Sequence, residues 1–570
     1  MNKKFKKSIY LTVFYIAISI LFVFPYIKWH QLNDGWDMIF HLRRINELAM
    51  NLRGGVFLSY ISTYDFKSFG FPIGIFYPNL TLLPFAICKV LLGSWYTSIL
   101  IGIATYTLVT LFVTHWVTYK LTYNNYQAII TAILYTFGTY RIIDIWTRFA
   151  LGEFIALSFL PLVIYGIYSI TFGNYKDWPF LSCGLALTML SHVLSTYINV
   201  WFCVLVFVIG IVFVIKHQLI TRLKSLGKAI LLFLALSAVF IFPFVEQELT
   251  NIYSQPAPFK LSFYASLPSN VLWSMINNNY FGYYNLHKSE AFTVGVVGLV
   301  VILLFPFLYR FFSKKERASY FLTLFLIIFP TTLIPWNIFD HNVLVDIIQF
   351  PFRELGIATF LVAILGSKEI CIIFNKLAGG WERIILMFSV ICLILLPWYS
   401  SLSTLKTSTG VINNSVIKKS MQSNVYGTLN LDNYTPSAGK SILAKVSEKH
   451  LGSINEHDYI FNDYVAKPNM LIYKLNIKKH DKVVLPFYIM KNLEVLINNK
   501  KQKISNTKQM LLKFTSNTNG ENIKVKYIPS IADRFGAIVS LISWISFIGY
   551  AVLKSRLLNP KKENFKETLK

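Results

Sequence analysis

Twelve apolar runs, most of them near the ~20 residues that a helix needs to cross a hydrocarbon core, dominate this chain and leave few ways to fold it. They centre on residues 9–28, 95–118, 127–143, 154–172, 179–193, 196–215, 228–245, 291–312, 319–335, 356–375, 383–399 and 531–553. In lipid every backbone polar group must be satisfied internally, so the spacing predicts an α-helical polytopic membrane protein with about twelve transmembrane helices. Charged residues are 14% of the 570 and mean hydropathy is +0.51. Soluble domains carry about a quarter charged residues.

The formal net charge of +27 raises nucleic acid as a partner. The basic residues flank apolar runs, as the positive-inside rule expects, and that argues against it. The start, "MNKKFKKSIYLTVFYIAISILFVFPYIKW", is basic like a signal peptide, but its apolar run is long and lacks a small-x-small cleavage site. It reads as an uncleaved anchor with a cytoplasmic N-terminus. The five cysteines all fall in apolar stretches, so no disulfide framework is expected.

One further stretch, "FPIGIFYPNLTLLPFAICKVLLG" (71–93), contains Pro72, Pro78 and Pro84, which disfavour a continuous helix. Charge decides its status. If it does not cross, the clusters Lys216/Arg222/Lys224/Lys228, Arg310/Lys314/Lys315/Arg317 and Lys554/Arg556/Lys561/Lys562 share a side with Lys3, Lys4, Lys6 and Lys7. If it crosses, all three later clusters flip outward. The stretch is therefore expected to be re-entrant or interfacial, with both termini cytoplasmic. The outer face then receives 29–94, 141–153, the surroundings of His192, 246–290, 336–354 and 400–530.

The domains expected are a transmembrane unit over 1–399, an extracytoplasmic β-rich unit over 400–530, a last helix over 531–553 and a basic cytoplasmic tail over 554–570. The β-rich unit opens with a polar linker, "SSLSTLKTSTGVINNS". Alternating runs follow: "NMLIYKLNI", "DKVVLPFYI", "LEVLINN", "MLLKFTS" and "NIKVKYI". Separated by turn residues, they read as an antiparallel β-sandwich.

Four outer clusters could carry chemistry. Asp37, His41 and Arg44 are spaced i, i+4, i+7 beside Leu42, Ile45 and Leu48, which suggests an amphipathic surface helix over 37–53 ended by Gly54-Gly55. Asp37 could act as a general base or metal ligand, and His41 and Arg44 could bind an anion. The bland reading is a solvated helix face, with Asp34 a capping neighbour. In "TYRIIDIWTRFALGEF", Arg141 and Asp144 suit interfacial snorkelling. The same account covers Arg148, but Glu153 suits it less well, because it opens an apolar span. His192, in "LSHVLSTY", is by default a structural hydrogen-bonder. Arg353, in "VDIIQFPFRELG", could clamp a phosphate or simply pair with Glu354. The aromatic loop "NNNYFGYYNLH" could contact a sugar or an isoprenoid, and Glu246 and Glu248 end the seventh span. Nucleotide-binding glycine loops, zinc-ligand spacing and serine-nucleophile motifs are absent from the sequence.

Taken together, "GWDMIFHLRRINELAMNLRGG" and "FGFPIGIFYPNL" resemble the opening of GT-C-type membrane proteins of the YfhO kind. They are also similar to the bacterial membrane family labelled "6-pyruvoyl-tetrahydropterin synthase-related". Asp37, His41, Arg44, Gly55 and "GFPIGIFYP" match that opening. "TRFALGEFIALSFLPLVIYG", "IQFPFREL" and "VVLPFYIMKNLEVLINNKK" follow in the family's order. Tyr60 and "YPN" depart from the family's frequent Trp and "YPP".

The resemblance implies a GT-C-like glycosyltransferase of the bacterial cell membrane. Its donor would be a polyprenyl-phosphate-linked sugar. Its acceptor would be a cell-envelope teichoic acid, polysaccharide or glycolipid on the outer face. Asp37 matches the family's catalytic acid, with Glu153 as a second base or acceptor-orienting acid. Arg44, Arg148 and Arg353 would stabilise phosphate charge, and His41 and His192 would line the substrate. No cofactor is implied, and the sequence does not indicate a divalent metal. The competing readings are a transporter or flippase of a lipid-linked saccharide and a non-catalytic envelope scaffold.

Overall fold

The computed structural model describes residues 3–213, 218–256, 258–281, 290–422, 431 and 433–557. Lys216, the aromatic loop from Gly282 to His287, Lys561, Lys562 and the tail beyond Leu557 lie outside them.

Each of the twelve apolar runs carries a helix. Seven helices are singly long and apolar enough to cross a membrane: Ser8–Trp29, Trp95–Thr122, Leu151–Thr171, Val193–Val212, Pro351–Lys376, Gly380–Ser408 and Ile531–Lys554. Two bent pairs reach that length together, Asn125–Thr136 with Thr139–Thr147 at 45° and Leu219–Leu236 with Ala238–Glu248 at 79°. The helices Pro179–Met189, Gly295–Leu308 and Lys314–Ile328 are shorter. At 1.5 Å per residue the first of these rises only about 16 Å. The protein is thus a multi-pass helical membrane protein in which several elements cover only part of the membrane depth.

The 71–93 stretch forms no span. Ile73–Phe76 is a single turn, and Leu83–Leu92 starts afresh with Pro84 in its first turn, where a missing N–H costs nothing. Phe85 and Ala86 are buried in the bundle core.

The two ends of the bundle differ in charge. At one, Arg222 donates to the carbonyls of Ile170 and Gly173, Lys315 donates to that of Phe172, and Lys554 pairs with Asp177. The opposite end carries the β-sandwich, and the described residues of the segments expected on the outer face lie toward it.

The sandwich comprises two antiparallel five-stranded sheets. One orders Ile504–Asn506, Leu511–Thr515, Lys482–Tyr488, Leu451–Ile454 and His457–Ile460. The other orders Tyr464–Lys467, Met470–Ile477, Gly520–Tyr527, Leu493–Ile497 and Lys500–Lys501. Tyr473, Phe487, Val495, Phe514 and Val525 fill the space between. Tyr60, Ile61, Ile75 and Phe76 from the first loop join the same core.

Asn469 fastens the two layers. Its Oδ1 accepts from the Tyr60 N–H at 2.8 Å and its Nδ2 donates to the Leu58 carbonyl at 2.9 Å. Gln247 exchanges two hydrogen bonds with the Lys491 backbone, and Asn492 donates to Glu246 at 2.7 Å. Tyr60, the departure from the family pattern, stacks on Tyr527 at 4.8 Å.

Two expectations are corrected here. The polar "SSLSTLKTS" is not a linker but continues the helix Gly380–Ser408. Leu402 and Leu405 remain buried, and Thr404, Thr407 and Thr409 bond back to preceding carbonyls. The Met38–Arg53 helix is not a surface helix. His41, Arg43, Arg44, Glu47 and Asn51 are buried along with its apolar residues. Its polar side has a protein partner: Glu47 accepts from the Ser62 hydroxyl and from the N–H groups of Thr63, Tyr64 and Asp65. Glu47→Ala would strand these buried donors, at on the order of 3 kcal/mol or more. Its detergent-solubilised melting temperature is expected to fall, with new proteolytic cutting around residues 62–65.

Candidate functional site

At the sandwich end, Asp37 stands at the N-terminus of Met38–Arg53. Its N–H donates to the Arg148 carbonyl at 2.9 Å. Gly35 permits this approach, because a Cβ there would lie 2.5 Å from the Phe149 Cβ. The Asp37 carboxylate does not cap its helix and makes no hydrogen bond or ion pair among the described residues. It is part-exposed. Burial pushes its pKa upward, while Arg148 and Arg353 pull it down and Glu153 opposes them.

Glu153 is engaged on both oxygens. Tyr140 donates its hydroxyl to Oε1 at 2.7 Å, Arg148 Nη1 meets Oε2 at 3.0 Å, and Arg353 Nε lies 3.5 Å from Oε2. Arg148 Nη1 also meets Asp144 at 2.5 Å. Arg148 is carried at the end of a π-helical turn, Ile143–Thr147, a local widening that redirects side chains and recurs at functional sites. Arg353 follows Pro351 and is held by the Ile348 carbonyl at 2.8 Å and the Gln349 Oε1 at 3.0 Å. The hydrogen bonds and ion pairs of Arg148 and the hydrogen bonds of Arg353 all use Nη1. Nη2 of each has no partner among the described residues.

His41 and Arg44 pack one layer behind. Arg44 Nη1 lies 3.1 Å from His41 Nδ1, Nη2 donates to the Pro78 carbonyl, and the guanidinium sits 3.8 Å over the Tyr77 ring. Tyr77 lies in the fields of Arg44, Asp37, Arg353 and Glu153 and so joins the two layers. Its ring is 6.0 Å from that of His192. His192 Nδ1 accepts from the Ser195 N–H at 3.3 Å and also meets the Ser195 hydroxyl. Gly152 makes room here, since a Cβ would press on the Tyr77 hydroxyl at 2.8 Å and on the Ser191 carbonyl at 3.0 Å.

A narrow cleft leads away from Glu153 and Arg353. Leu157, Leu160, Ile198 and Ile357 make it apolar, with Ser195 and Asn199 on one wall.

The structure therefore brings all seven sequence candidates into one cluster. Asp37, Arg148, Glu153 and Arg353 form its front; His41, Arg44 and His192 support it. The snorkelling account of Arg141 and Asp144 is corrected, because both are fully buried. Arg141 donates to the Phe154 carbonyl and the Ser158 hydroxyl at 3.3 Å each. Tyr77, Tyr140 and Gln349 were not singled out from sequence. Each sits within a quoted motif. Among the described residues, no group of three His, Cys, Asp or Glu side chains is placed to hold a metal ion.

These features define a polytopic helical membrane protein with a β-sandwich over a cluster of acids and arginines at one membrane edge. No family model and no curated protein sequence matches the chain. Among solved structures, the chain is similar to ArnT from Cupriavidus metallidurans bound to undecaprenyl phosphate, at 10% identity and a TM-score of 0.35, over 77% of this chain and 80% of that one. The apo state of ArnT aligns over the same shares at 10% identity and a TM-score of 0.32. Likeness this slight assigns neither fold nor activity.

The contrast between the two front acids yields a stability prediction. Asp37→Asn removes no hydrogen bond or ion pair and should leave the melting temperature within about a degree or two. Glu153→Gln unbalances Arg148 and Arg353, and the loss should be about 3 kcal/mol. A detergent melt of both variants checks this.

His192 gives a pH prediction. Burial, Arg353 and Arg148 push its pKa from 6.5 down to about 3. The unfolded chain then binds a proton that the folded chain refuses. The contribution of His192 is complete above pH 6.5 and is lost as the pH falls from there toward 3. Wild-type stability should drop more steeply than that of His192→Asn between pH 7 and 4.5.

Proposed function

We propose that this protein is a membrane glycosyltransferase of the GT-C type. It moves a sugar from a polyprenyl-phosphate donor to a cell-envelope acceptor (teichoic acid, polysaccharide or glycolipid) on the outer face, with both termini cytoplasmic. The observation that carries this reading is an unpartnered carboxylate, Asp37, beside two arginines that each keep a free Nη2, at the head of an apolar cleft.

The chemistry follows from those parts. The acceptor hydroxyl attacks the anomeric carbon of the donor, a new glycosidic C–O bond forms, and the bond from that carbon to the phosphate oxygen breaks. Polyprenyl phosphate leaves with the electron pair. Asp37, which nothing else in the site engages, takes the hydroxyl proton. Arg148 and Arg353 meet the negative charge that grows on the phosphate, in a partly dehydrated place where such charge is strongly stabilised. Glu153 holds both guanidinium groups and fixes where the phosphate can sit. His41 and Arg44 shape the back wall through Tyr77, and the cleft between Leu157, Ile198 and Ile357 takes the first isoprene units.

The test is a deletion strain complemented at matched membrane levels with wild type or Asp37→Asn, followed by mass spectrometry of its teichoic acids, surface polysaccharides and glycolipids. The expected outcome is a glycan that disappears on deletion, returns with wild type, and falls by a factor of about 10² to 10⁴ in initial rate with Asp37→Asn. Full rescue by Asp37→Asn would remove the base from this reading and shift the weight to transport or scaffolding.

A further inference from the structure

The end of the sandwich that points away from the bundle carries a group of exposed lysines. Asn469, Lys491, Asn492 and Tyr527 mark the near end, by their contacts to Leu58, Tyr60, Gln247, Glu246 and Asp533. Met470–Ile477 runs from that end to the other over 8 residues, about 26 Å at ~3.3 Å per residue. Three turns meet at the far end, around 478–481, 498–499 and 516–519.

Asparagine and glutamine side chains stitch these turns together. Asn519 Oδ1 accepts from the Lys479 N–H at 2.7 Å, and its carbonyl accepts from Asn498 at 2.9 Å. Gln502 and Asn517 exchange two hydrogen bonds, at 2.8 and 2.9 Å. The His480 N–H donates to the Ser516 carbonyl at 2.8 Å. The backbone that presents the side chains is thereby fixed.

Lys478, Lys479, Lys500 and Lys503 project from this frame. All four are exposed, and none forms an ion pair among the described residues. Of the neighbouring acids, Glu521 is exposed without an ion pair among the described residues, and the others are engaged. Asp481 accepts from the Lys478 N–H and from Asn455, Glu456 pairs with Lys482, and Glu494 pairs with Lys501 and Lys526. The four ammonium groups outnumber the carboxylates of Asp481 and Glu521 on one rigid tip, and a bound polyanion would neutralise the charge that remains.

We propose that this tip is a docking surface for a polyanionic polymer, a chain of closely spaced phosphates or carboxylates. It would hold the acceptor polymer above the transfer site and so narrows the acceptor class of the function proposed above, on which it rests. The membrane surface is disfavoured by distance, because the tip lies at the end of the sandwich away from the bundle. Nucleic acid is disfavoured by chemistry. The four lysines are interleaved with Asn, Gln and Ser, and the three turns carry no Phe, Tyr or Trp ring to stack a base, His480 being the one exposed ring among them.

The test uses the full chain in nanodiscs of neutral phosphatidylcholine. Binding of linear inorganic polyphosphate, neutral dextran and a single-stranded oligonucleotide is measured for wild type, for K478Q/K479Q/K500Q/K503Q and for Asp37→Asn. The expected result is polyphosphate binding that weakens with salt, falls at least tenfold in the quadruple variant and is unchanged in Asp37→Asn, with no dextran binding. An unchanged quadruple variant of wild-type melting temperature would overturn the proposal, as would an oligonucleotide bound tenfold more tightly than polyphosphate. Because Asp37→Asn tests transfer and the lysine variant tests docking, loss of either reading leaves the other measurable.

Discussion

The buried carboxylate of Glu153 is the point on which the sandwich end is organised. A carboxylate taken out of water is tolerated only when its charge is answered at close range. Here the answer comes from three side chains on two segments: Tyr140 and Arg148 from the second half of the broken helix and the end of its π-turn, and Arg353 from the start of Pro351–Lys376. Both segments must therefore reach the same place. The break after Thr136, the π-turn and the loop around Gln349 (φ +66°) bring the three partners to one acid. Once Glu153 is satisfied in this way, Arg148 and Arg353 are fixed in direction, and Asp37 is left as the acid in front of them with no partner.

Much of this was legible in the chain. Helices follow from the length of apolar runs, and the run lengths are unambiguous. The strands "NMLIYKLNI", "DKVVLPFYI", "LEVLINN", "MLLKFTS" and "NIKVKYI" appear as Met470–Ile477, Lys482–Tyr488, Leu493–Ile497, Leu511–Thr515 and Gly520–Tyr527 because alternation and turn chemistry agree there. The charge argument that kept 71–93 from crossing is consistent with a short helix from Leu83 to Leu92.

What was not legible depends on tertiary partners. The Met38–Arg53 sequence has the amphipathic pattern of a surface helix, and only the loop 62–65 folding onto Glu47 buries its polar side. Arg141 looks like a snorkelling residue until Phe154 and Ser158 are seen to receive it. The Ser/Thr-rich stretch after residue 399 reads as a linker by composition. It is helical because Leu402 and Leu405 keep the period of the preceding span. In each case local sequence gave the correct periodicity, and a contact distant in sequence decided what covers it.

The division between Asp37 and Glu153 also bears on the transport reading. A conduction pathway needs ionisable groups that a substrate can pass from one to the next along the membrane depth. Here the arginines and their acids are locked to one another at one end of the bundle, and the cleft that leaves them is lined by leucine and isoleucine rather than by further charge. Such a cleft can hold an apolar tail while its head remains at the arginines, and beyond them it offers only the neutral Ser195 and Asn199, with no second charged station for the head to move to. Chemistry at a fixed point accounts for that geometry better than movement through it. A free carboxylate beside a fixed pair of cations is then a consequence of the same lock: Glu153, which orders the site, is spent on structure, and the fold leaves Asp37 unpaired, which is why the proposed function gives it the role of base.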